Sequence, residues 1–188
     1  LVAALVAAPL VTYLLWNKSA QTRVYQVDAP LRALRAGDPG PILANVPRIA
    51  GMFTLAGDAT ARNNLPGRPV FPEPISALLF YLGLSVSLVR LAGFVVGGSR
   101  RGVLSRASYG LVIGWLGVMV LPSLVTAEAP NFVRTLGALP AVMVLLGIGA
   151  DGVLRWLGAQ SGALRIGGVV VLGLAFSLNT YLTAEAYF

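Results

Sequence analysis

The sequence predicts an all-α, polytopic transmembrane protein. It has about five spanning helices, plus short interfacial helices in one long external loop. Two compositional facts point there: mean hydropathy is +0.78, and only 11% of the 188 residues are charged, where soluble chains carry about 25%. The third observation is the grouping of apolar residues into runs close to the roughly 20 needed to cross hydrocarbon.

The first run, Leu1–Trp16, is apolar apart from Thr12 and ends in Tyr13 and Trp16. These aromatics read as an interfacial belt. A signal peptide begins with Met and a basic segment, and this run has neither. The chain is therefore expected to be one membrane domain, 1–188, taken from a longer protein. From Asn17 to Phe71 it is polar enough to leave the bilayer. Asp28 is a candidate N-cap for a short helix, and Gly37-Asp-Pro-Gly40 reads as a turn. Ile42, Val46, Ile49, Phe53 and Ala56 then recur at helical spacing and predict an amphipathic helix. Too short to span, it is expected in the plane of the interface; a helix packed on its own loop is the alternative.

The second span is expected over Ile75–Val96, introduced by Pro72 and Pro74, which helices tolerate at their start. The third, Ser108–Val125, holds Gly110-xxx-Gly114, a spacing that can mark close packing. Thr126–Arg134 is a short polar loop. The fourth span is expected over Thr135–Trp156 and the fifth from about Ile166 to Ala184.

The loops after the second and fourth spans hold Arg100, Arg101, Arg106, Arg155 and Arg165. By the positive-inside rule these loops face the cytoplasm. The 17–71 loop and Thr126–Arg134 then share the external face, although the long loop carries Lys18 and six arginines of its own. The formal charge of +7 fits anionic lipid head groups or a phosphate-bearing substrate, not nucleic acid. With no Cys and no His, acid–base work is left to seven carboxylates. No cofactor and no metal site is expected.

The most polar rigid stretch, Ala61–Pro74, supplies the candidate site. Arg62, Asn63, Asn64 and Arg68 can form a phosphate or sugar clamp, since guanidinium forks match phosphate oxygens in pairs. An ordinary rigid loop whose arginines meet lipid head groups explains them equally well. Glu128 and Arg134 flank Pro130 and either pair with each other or leave Arg134 for an anion at the start of the fourth span. Asp151 and Arg155 are spaced for an intrahelical ion pair. Asn179 and Thr180 are expected to bond to backbone or to a neighbouring helix.

Three stretches, Gly57–Leu84, Leu121–Gly149 and the closing LTAEAYF, resemble the C-terminal half of the membrane domain of bacterial GT-C glycosyltransferases, the dolichyl-phosphate-mannose–protein mannosyltransferase-like family. NLPGRP and EAPNFVRTLGALP are the most specific parts. The resemblance implies an enzyme that takes a sugar from a polyprenyl-phosphate donor outside the cytoplasm, gripped by interfacial helices of the long loop. By position, Arg62, Arg68 and Arg134 would neutralise the donor phosphate and Glu128 would orient Arg134. The family's catalytic carboxylates lie in a first external loop among N-terminal helices, which has no counterpart here, and Asp58 does not stand in for them. The chain alone is therefore expected to be inactive. A different class also fits: a non-catalytic transmembrane subunit packed into a larger complex, with Gly110, Gly114, Gly147 and Gly149 as packing faces. Expected partners are membrane lipids, a polyprenyl-phosphate sugar and other membrane subunits.

Overall fold

The computed structural model describes residues 2–17, 29–61, 65–97 and 103–187. Its helices are α1 (Val2–Trp16), α2 (Ala29–Arg35), α3 (Gly40–Gly51), α4 (Pro74–Gly97), α5 (Val103–Leu124) and α6 (Phe132–Thr135), then a 3-10 turn at Leu136–Ala138, α7 (Leu139–Gly158) and α8 (Gly162–Tyr187). Among the described residues there is no strand. Among the described residues four stretches are long and apolar enough to cross a bilayer: Pro74–Gly93, Ala107–Leu124, Phe132–Gly158 and Gly162–Ala186. The protein is an all-α, multi-pass membrane protein. The expected first span is helical over Val2–Trp16, 15 residues or about 22 Å of helix.

Local chemistry explains where the elements begin and end. Glu73 caps α4, its carboxylate accepting from the backbone N–H of Ile75 at 2.7 Å and of Ser76 at 2.9 Å. Pro74 fills the first helical position, where no N–H is needed. Glu73→Ala should therefore cost about 1 kcal/mol, read as a lower unfolding midpoint in detergent, with Glu73→Asp recovering part of it. Before α7, Pro140 has no N–H to offer the Leu136 carbonyl and its ring crowds that oxygen. The backbone tightens instead into the 3-10 turn, with the Leu139 N–H bonded to Leu136. After α2, Gly37 takes a φ of +89°. The Asp38 N–H reaches the Ala33 carbonyl and the Gly37 N–H that of Leu34, a glycine-terminated helix end that turns the chain into α3.

The amphipathic helix forms, but its inner face differs from the expected stripe. Ile49 and Phe53 are buried as predicted, yet Val46 is 48% exposed and Asn45 takes the inward position at 3%. The reason lies at the end of α5, whose last carbonyls lack helical partners. Asn45 Nδ2 donates to the Leu124 carbonyl at 2.9 Å and the Thr126 carbonyl at 2.8 Å. The helix also stops at Gly51, so Phe53 and Ala56 belong to the following turns. Leu43, Val46, Pro47 and Ala50 are left as an exposed apolar flank.

The core joins this loop to the bundle. Met52, Phe53 and Phe71 pack with Phe80 of α4 and with Val142 and Leu145 of α7. Phe53 stacks on Phe80 at 4.8 Å and Phe71 lies 5.5 Å from the same ring. The most extensive helix contact is between α4 and α7, and glycines set its closeness. A Cβ on Gly83 would lie 1.8 Å from the Leu145 carbonyl oxygen, and one on Gly149 would lie 1.9 Å from that of Leu79. Of the four glycines expected on packing faces, Gly149 alone lies at this crossing. Gly114 and Gly147 face open space, and Gly110 would only touch Leu91.

Candidate functional site

The long loop and the α5–α6 loop meet at one end of the bundle, and Asp58 is the tie between them. It is 2% exposed. Its Oδ1 accepts from the Thr60 N–H at 2.8 Å, closing a tight turn over GDAT, and its Oδ2 accepts from the Phe132 N–H at 3.0 Å. That second bond satisfies a donor that the first turn of α6 leaves without a helical partner. The Asp58 carbonyl accepts from Gly67, and the Gly67 carbonyl accepts from Gly57. Two further backbone bonds, Val70 to Met52 and Phe71 to Phe53, continue the pairing. Gly57 has to lack a side chain: a Cβ there would lie 1.9 Å from the Arg68 carbonyl oxygen and 2.7 Å from the Phe132 ring.

The far side of the loop is braced as well. Buried Ser123 accepts the Asn131 N–H on its hydroxyl at 2.9 Å, and Thr126 donates to the Ser123 carbonyl at 2.9 Å. Asn131 caps α6, accepting from the Arg134 N–H at 3.2 Å.

These ties frame a cleft of about 310 Å³. Met52, Phe53, Val70, Phe132, Leu139 and Val142 form most of its wall. Arg68 enters from the loop, and Thr183 closes the cleft from the end of α8. Arg68 Nη2 donates to Thr183 Oγ1 at 3.2 Å and to the Leu182 carbonyl at 3.4 Å. A mainly apolar trough with a guanidinium at its side is complementary in polarity to an anionic amphiphile. Among the described residues, no Asp or Glu lines this cleft, and no three acids lie close enough together to hold a metal ion.

The predicted site residues fall unevenly around it. Arg68 lines the cleft. Arg62, Asn63 and Asn64 lie outside the described residues. Arg134 is half-buried on α6, two residues from the Phe132 N–H that Asp58 holds, but is not in the cleft wall. Glu128 is exposed, and it makes no ion pair with Arg134. The open alternative for this pair thus resolves toward an Arg134 free of Glu128. Asp151 and Arg155 form the expected pair at 2.8 Å on the surface of α7. Thr180 bonds back to the Phe176 carbonyl at 2.9 Å, and Asn179 Oδ1 accepts from Thr183 at 3.4 Å.

The comparisons are silent. No family model, no curated protein and no solved structure matches this chain. The function has to be argued from the cleft itself.

Sequence reasoning passes over Thr183 and Asn45, and weighs Asp58 only as a catalytic acid, not as the tie between the two loops. Asp58 carried a readable signal, because an Asp two residues ahead of Thr60 in a Gly-bounded polar stretch favours a side-chain-closed turn. Thr183 carried none, since only the fold brings it across 115 residues to Arg68.

Proposed function

We propose that this chain is the membrane part of a glycosyltransferase that uses a polyprenyl-phosphate-linked sugar at the extracytoplasmic face of a bacterial inner membrane. The observation that supports this most is the cleft, in which an apolar trough and the Arg68 guanidinium lie together at the end of the bundle. A polyprenyl phosphate has the matching polarity, a long hydrocarbon chain ending in an anion. The resemblance of NLPGRP and EAPNFVRTLGALP to the GT-C family points the same way, since both segments contribute to the cleft wall.

The role of each group follows from its position. Phe53, Phe132 and Val142 shield the chain, and Arg68 offers the phosphate a charge-assisted fork of hydrogen bonds. Asp58 acts as a positioning residue, holding the Arg68 segment against the start of α6. Among the described residues no carboxylate lines the cleft, and in this reading the chain supplies carrier binding and not the acid–base step, so it is expected to be inactive alone.

Native mass spectrometry of the detergent-purified chain with a polyprenyl phosphate tests the proposal. Arg68→Ala should weaken phosphate-lipid binding about 10- to 100-fold, the worth of a charge-assisted hydrogen bond, and leave the uncharged polyprenol unchanged. Equal loss of both lipids, or no loss of either, would refute it.

The second reading, a non-catalytic subunit of a larger membrane assembly, draws on α5 and α8. Only 6% of the apolar window of each is buried within the chain, which leaves two nearly complete helix faces for other helices or for lipid. Purification as a partner-free monomer would count against it.

A further inference from the structure

We propose a second ligand site, independent of the polyprenyl-phosphate reading: a head-group cleft between α2, α3 and the α5–α6 loop. Its ligand carries a phosphate together with a hydroxyl or ammonium donor.

The cleft encloses about 350 Å³, room for about ten water molecules at roughly 30 Å³ each. Its floor is one face of α3, since Pro41, Ala44, Asn45 and Arg48 all line it and their spacing of three and four places them in one row. Pro30 and Ala127 form the opposite walls. The walls are small and rigid, and the only polar side chains in the lining are Asn45 and Arg48.

The decisive group is the Asn45 side-chain carbonyl. Asn45 is 3% exposed, and its amide orientation is fixed because Nδ2 donates to two backbone carbonyls, Leu124 and Thr126. Neither of those residues lines the cleft. Oδ1 lies in the same amide plane, on the opposite side of Cγ from Nδ2, and it accepts no hydrogen bond among the described residues. With no protein donor for it among those residues, this acceptor is met by water or by a donor of a ligand seated in the cleft, so a ligand donor has a place prepared for it. One turn along the same face, about 5–6 Å away between Cβ atoms, stands Arg48. It is exposed and makes no hydrogen bond or ion pair among the described residues. An acceptor beside a cation selects a ligand with a donor beside an anion.

Membrane geometry favours a lipid as the source. The cleft lies at the end of α5, and the opposite flank of α3 (Leu43, Val46, Pro47 and Ala50) is apolar and exposed. A helix with one flank apolar, one face packed on the bundle and one flank carrying arginine suits the head-group level of a leaflet. Phosphatidylethanolamine and phosphatidylglycerol combine phosphate with a donor; phosphatidylcholine has the phosphate and no donor.

The test is native mass spectrometry of the full chain with these three lipids, matched in acyl chains. Wild type should retain the ethanolamine and glycerol lipids about fivefold better than the choline lipid, the worth of one hydrogen bond. Ala44→Phe, which fills the cleft without touching the Asn45 amide, should erase that preference and leave the thermal midpoint unchanged. Arg48→Ala should weaken all three lipids alike. Displacement by glycerol 1-phosphate would assign the site to a free phosphate ester, whereas failure to displace would assign it to lipid. Equal retention of the three lipids by wild type, or a preference that survives Ala44→Phe, would overturn the proposal.

Discussion

Alanine at Gly83 or at Gly149 should destabilise the bundle by about 3 kcal/mol or more, the upper end of the usual cost of overpacking. Each new methyl would meet a backbone carbonyl within 2 Å: Leu145 for Gly83 and Leu79 for Gly149. No rotamer change relieves a clash between Cβ and backbone, so α4 and α7 must move apart. That separation would loosen Phe80 and Leu145, two of the most deeply buried side chains in the core. Gly147→Ala is the internal control. It lies on α7 and faces open space, so it should be neutral or gain up to about 1 kcal/mol from helix propensity. Equilibrium unfolding in mixed micelles distinguishes the three variants. Equal stability of Gly83→Ala and Gly147→Ala would contradict the crossing.

Asp58→Ala should cost about 3 kcal/mol, because it strands two backbone donors, the N–H groups of Thr60 and Phe132, each worth roughly 1–3 kcal/mol when buried and unpaired. Asp58→Asn should recover little. The new amide nitrogen replaces one of two oxygens that both accept, and it would face a donor. The effect should also be local before it is global. Hydrogen exchange at Phe132 should speed up together with that at Gly57, which donates to the Gly67 carbonyl, and at Gly67, which donates to the Asp58 carbonyl, because both bonds lean on the same turn. Unchanged protection at Phe132 would show that Asp58 does not tie the two loops together.

What could be read from the sequence follows from the range of the forces involved. Spans are written in contiguous hydropathy, so four of the expected five emerge within a few residues of their observed ends. The start of α4 was legible in Pro72 and Pro74, although the cap, Glu73, lay unremarked between them. The turn at Gly37–Gly40 was legible because a glycine-ended helix is a local event. The inward face of α3 was not, since it depends on carbonyls at the end of α5, about 80 positions away. The same holds for the α4–α7 crossing. Gly83 and Gly149 have no telling spacing within their own helices, whereas Gly110 and Gly114 have the spacing but no close partner. At the site, Arg68 was identified from its stiff Pro-Gly-Arg-Pro setting. Its contact with Thr183 exists only once the end of α8 reaches the loop, and the apolar trough beside it only once the long loop, α6 and α7 come together.

The central claim is that the Arg68 cleft receives the phosphate end of an isoprenoid lipid, and a structure of the chain bound to a polyprenyl phosphate tests it most directly. The phosphate should lie within hydrogen-bonding reach of the Arg68 guanidinium, displacing Thr183 and Leu182 from it, with the first isoprene units against Phe53, Phe132 and Val142. A phosphate bound elsewhere, with the Arg68–Thr183 contact intact and the trough empty of lipid, would contradict it.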